Sequence, residues 1–104
     1  MITNETSAAM KLPDIQQAVL DTSTVEQLFA DIRACAQVIE VLAKFGSRQH
    51  VREEPLTLDD AQRLLLEKSV RGVQLRYRYD GDLWWDTLMR VEDGFRLTRL
   101  RAGQ

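Results

Sequence analysis

Asp86 has the sequence surroundings closest to those of a reactive group. It follows Trp84 and Trp85 and precedes Thr87. A carboxylate packed against indoles can be held protonated and serve as a general acid. The plainer reading is an ion pair across a sheet, with Arg76 or Arg90 as partner. No second carboxylate stands at a fixed spacing from it, so a glycosidase-like pair finds no support.

The other chemical candidates are weaker. Cys35 lies in an apolar stripe with no lysine or histidine within a helical turn, and reads as a buried structural thiol. His50 is the only histidine, with Glu53 and Glu54 nearby. A metal site needs three or four ligands at defined spacing, so a solvated loop histidine is the expectation. The five glycines form no phosphate-cradling pattern. The sequence therefore predicts no catalytic residue, no cofactor and no metal, and a protein that is not an enzyme.

Arginine and tryptophan carry the stronger signal. Residues 71–104 hold 7 basic and 5 acidic side chains, and every basic one is arginine. Residues 1–70 hold 7 basic and 11 acidic side chains. Arginine presents a planar fork suited to carboxylates, phosphates and aromatic faces. Arginine and tryptophan are also enriched among residues that dominate protein interfaces. Arg76, Arg78, Trp84, Asp86, Arg90 and Arg96 are accordingly the partner-binding candidates.

These residues need a sheet to hold them. Val73, Leu75, Tyr77 and Tyr79 alternate with Gln74, Arg76 and Arg78, the period of a strand. Asp80-Gly81 and Asp93-Gly94 mark two hairpin turns. Three-residue loops with glycine last would put Tyr77 opposite Leu83, Leu75 opposite Trp85 and Met89 opposite Leu97. Arg76, Arg78, Trp84, Asp86, Leu88, Arg90 and Arg96 would then share the outer face. A two-residue loop at Asp80-Gly81 would instead bring Trp84 and Asp86 beside Leu75 and Tyr77, because a one-residue slip exchanges the faces.

Upstream, Pro13-Asp14 opens a short expected helix to about residue 21. Ser23 and Glu26 form a capping box for a long helix over 24–45. Val25, Leu28, Ile32, Cys35, Ile39 and Leu42 give it an apolar stripe, and Gly46 a stop. His50 to Pro55 reads as a charged connector. Thr57 caps a third helix to residue 70, with Gly72 ending it. Strands follow at about 72–79, 82–91 and 95–101. The expected fold is α+β, with two to three N-terminal helices packed on one face of a C-terminal three-stranded antiparallel β-meander. Residues 1–12 are expected to be a disordered tail, and 13–104 one domain.

The chain has 104 residues, 44% hydrophobic and 29% charged, values that suit one globular unit. A net charge of −2 argues against general nucleic-acid affinity. One cysteine excludes an intramolecular disulfide and fits the reducing cytoplasm. There is no charged-then-apolar leader and no run of about 18 apolar residues, so neither a signal peptide nor a membrane span is expected. The best-supported role is a small accessory or regulatory protein that binds another protein through the arginine- and tryptophan-bearing sheet face. The spare apolar residues on the long helix also make a homodimer an expectation. The alternatives are a small-molecule or enzymatic site between helix and sheet near Trp85 and Asp86, and single-stranded nucleic-acid binding by the same face.

Overall fold

The computed structural model describes residues 15–45 and 52–103. The elements run β1 (Ile15–Leu20), α1 (Thr22–Cys35), β2 (Gln37–Phe45), β3 (Arg52–Pro55), α2 (Leu58–Leu66), β4 (Gly72–Tyr79), β5 (Asp82–Val91) and β6 (Gly94–Gly103). They form one sheet in the order β1-β6-β5-β4-β2-β3, with every pairing antiparallel. The α+β class and the three C-terminal strands agree with the sequence reading. The three-stranded meander with two to three helices does not, because the described residues form six strands and two helices.

Three expected elements change identity. The first expected helix, 13–21, is β1 over its described part, pairing Ile15 with Leu100 and Leu20 with Phe95. The expected long helix, 24–45, breaks in two. Its first half is α1, which buries Val25, Leu28, Phe29 and Ile32. The helix ends at Ala36, whose backbone is extended, and 37–45 becomes β2. Val38, Ile39 and Val41 are β-branched and favour a strand once β4 offers its free edge. The expected connector contains β3, which pairs with the far end of β2. The expected tail over 1–12 and the His50 reading lie outside the described residues.

The helix caps sharpen two boundaries. Asp21 caps α1, accepting a 2.8 Å bond from the Thr24 amide, so the helix starts before Ser23. That bond holds the Asp21 carboxyl below its usual range. Thr57 caps α2 as expected, accepting from the Asp60 amide at 3.1 Å. However, α2 stops at Leu66 and not at Gly72. Lys68 adopts left-handed geometry, with its amide bonded to Leu65 O and that of Ser69 to Leu64 O. That bond pair closes a helix end without glycine.

Both hairpin turns set the strand faces. Tyr79 pairs with Asp82 across Asp80-Gly81, and both turn residues have positive φ, 54° and 82°. Two positive φ values in a two-residue loop match the twist of the flanking strands. Val91 pairs with Gly94 across Glu92-Asp93. Both expected three-residue loops are thus two residues long, the alternative weighed at Asp80-Gly81 and an unforeseen change at Glu92-Asp93, and every residue of β5 changes face. Val73, Leu75, Tyr77, Leu88, Phe95 and Leu97 form the core with α1, α2, Val41 and Ala43. Both helices pack on this face. A bulge in β2 between Val38 and Glu40 keeps Val41 in register with Leu75 and Glu40 with Arg76.

Candidate functional site

Two clusters emerge, one on each face of the sheet. The first lies in the core, on three adjacent strands. Asp86 of β5 stands directly opposite Arg99 of β6, and diagonally from Tyr77 of β4. Arg99 Nε donates to Asp86 Oδ1 at 2.7 Å, and Nη2 donates to Oδ2 at 2.6 Å. The Tyr77 hydroxyl donates to Asp86 Oδ2 at 2.8 Å. Asp86 is 0% and Arg99 2% exposed. A bidentate geometry with a third donor is the arrangement that lets a buried charge pair offset its loss of hydration.

Burial raises the Tyr77 phenol well above its usual range, and the Asp86 charge adds to this. Burial alone would lower Arg99, but its bonds to Asp86 outweigh that and leave it raised. Tyr77 is therefore a neutral donor and Arg99 a fixed cation. The carboxylate receives three side-chain bonds and faces no solvent. Such a cluster braces strands and gives Asp86 no substrate to act on. The sequence reading anticipated an arginine across the sheet but named Arg76 or Arg90. The turn register, which selects Arg99, was the missing information.

The second cluster occupies the face that neither helix covers. Arg76 lies over the Trp85 ring, with its guanidinium carbon 4.8 Å from the ring centroid. Arg76 Nη1 donates to Glu40 at 2.7 Å. The β2 bulge makes this bond available by placing Glu40 opposite Arg76. Arg76 Nε and Trp85 Nε1 are buried without a hydrogen-bond partner among the described residues. Arg78 and Arg96 share this face, are exposed, and make no ion pair among the described residues. Gln74 and Thr87 form a polar strip across it, continued by Thr98 and Gln17. Val19 is 58% and Leu100 40% exposed on the same face.

The six candidate residues therefore divide between the faces. Arg76, Arg78 and Arg96 lie on the open face. Trp84, Asp86 and Arg90 lie on the helix-bearing face. Trp84 is half-buried against the core and donates to Tyr79 O at 3.2 Å. Arg90 Nε donates to Val70 O at 2.7 Å, tying β5 to the segment after α2. Trp85, which the sequence reading faced toward the helices, takes the outer position. Trp85 and Asp86 thus cannot line one helix–sheet pocket.

Shallow hollows lie elsewhere. One of about 300 Å³ is lined by Arg71, Met89, Arg90, Val91 and Glu92. Another of about 250 Å³ lies between the α1 cap and the second hairpin turn, with both signs of charge on its walls. Cys35, expected to be buried, is exposed at the end of α1. Among the described residues no group of His, Cys, Asp and Glu is placed to hold a metal ion, and no helix is long and apolar enough to cross a membrane. No family model, curated protein or solved structure matches the chain.

Proposed function

We propose that the chain is a small non-enzymatic accessory protein that binds another protein through the open sheet face. The reading rests on Trp85 and Arg76, an anchor pair on the face that neither helix covers. A flat half-buried tryptophan with arginine above it offers apolar area and charge together, as interface anchors do. Arg78, two residues along β4 from Arg76, and Arg96, farther along the same face opposite Met89, favour a partner segment bearing carboxylates. A cytoplasmic setting belongs to the proposal, supported by the exposed lone thiol of Cys35.

The alternatives draw less support. Single-stranded nucleic acid would need an open ring for bases, and Arg76 already occupies the Trp85 ring. A small-molecule site at Asp86 would have to displace Arg99 and Tyr77 from it. The test is affinity capture followed by cross-linking, with wild-type, Trp85→Ala and Arg78→Glu/Arg96→Glu baits. We expect a partner whose cross-linked segment is acidic, and at least about a tenfold loss of affinity in each variant with folding unchanged. Equal capture by all three baits would rule the face out. Capture that is abolished by nuclease would transfer the function to nucleic acid.

A further inference from the structure

The sheet ends in two edges of opposite character. At one end, β3 is four residues long, REEP, with three charges and a terminal proline. These are the features by which proteins guard an edge from pairing. At the other end, β1 is IQQAVL, with no charge, proline or glycine. All six of its residues pair with β6 on one side. Among the described residues nothing pairs with its other side.

An unguarded edge invites a strand, and its composition selects which kind. A charged edge would favour a partner of opposite charge and repel a copy of itself. An uncharged one meets its own copy without like-charge repulsion. Two copies related by a twofold axis pair antiparallel, which is the pairing used throughout this sheet.

We propose that β1 pairs antiparallel with β1 of a second copy of this chain, joining the two sheets into one. Residues directly opposite in an antiparallel pair lie on the same face. Placing Gln17 on the twofold axis satisfies this and sets each Val19 opposite the other copy's Ile15. Val19, the most exposed large apolar residue described, then stands opposite a position of apolar type. Each Ala18 falls opposite the other copy's Gln16. The alternative with Ala18 on the axis sets Val19 opposite Gln17 and leaves it next to an amide.

A six-residue ladder buries less than the ~1,200 Å² of a stable standard interface, so association in the micromolar range is the expectation. The pairing is independent of the docking residues Arg76, Trp85, Arg78 and Arg96, which lie on β4, β5 and β6. It would extend their face from one copy into the next.

Sedimentation velocity of the full chain over a concentration series tests this at low ionic strength. The wild type should move from monomer toward dimer as concentration rises. Gln17→Lys and Gln17→Glu each set like charges against one another at the axis and should remain monomeric. Gln17 is exposed, so both should fold normally, as circular dichroism would verify. An equimolar mixture of the two should recover the dimer, since opposite charges then meet. A wild type that stays monomeric overturns the proposal. So does wild-type association by either variant alone, which would place the contact elsewhere. Loss in both variants without recovery in the mixture would refute the Gln17-centred register.

Discussion

Arg99, Asp86 and Tyr77 on one face, and Arg76, Glu40 and Trp85 on the other, use the same ingredients. Each set has one arginine, one carboxylate and one aromatic residue. The first is sealed, at 2% and 0% exposure for its ion pair. The second pair is open to 34% and 41%. Burial changes what the same chemistry is for. In the core, a charge without its partner cannot regain water, so the set is all-or-none and ties three strands together. On the open face each charge keeps part of its hydration, and the set stays free to exchange partners.

The largest test of that contrast is Asp86→Ala. It strands the Arg99 guanidinium in the core and should cost about 3–5 kcal/mol, read by urea denaturation. If the loss were under about 1 kcal/mol, the triad would behave like a surface pair and the contrast would fail. Replacing both Asp86 and Arg99 by leucine should recover at least about 2 kcal/mol of that loss, because no orphaned charge remains.

Tyr77→Phe comes next, at about 1 kcal/mol for one hydrogen bond to a carboxylate that keeps two others. It also carries a pH signature. The Tyr77 phenol is raised in the folded state, so the folded chain retains its proton where the unfolded chain has lost it. The stability from neutral Tyr77 is fully present below the unfolded value near 10 and declines as pH rises above it. Alkaline unfolding should therefore be less steep in Tyr77→Phe. An unchanged alkaline profile would mean that Tyr77 ionises freely in the native state.

Glu40→Ala should have the smallest effect, no more than about 1 kcal/mol, because its pair with Arg76 is solvent-screened. Its informative readout is salt. The small loss should shrink as ionic strength rises, whereas the loss from Asp86→Ala should hardly change.

Some of this architecture was legible in the residues. Alternation of Val73, Leu75 and Tyr77 with polar neighbours marked β4, and the paired Asp-Gly signals marked the limits of β5. Thr57 marked the start of α2, and the stripe Val25-Leu28-Ile32 marked the buried side of α1. These signals are local, and each rests on spacing within a few residues.

The rest depended on partners far away in the chain. IQQAVL has no clear period of its own, and is a strand because Ile15 to Leu20 meet Leu100 to Phe95. The Val25-to-Leu42 spacing fits a helix across the α1–β2 boundary. The free edge of β4 takes its second half as β2. The turn decided the site. With Asp80-Gly81 as the whole loop, Asp86 goes inward to Arg99 and Trp85 outward to Arg76. Local residue order alone determined that arginine, carboxylate and aromatic residues would gather on C-terminal strands. Tertiary structure alone decided which cluster is sealed and which is open, because adjacent residues on a strand point to opposite faces and a one-residue change in the loop exchanges them.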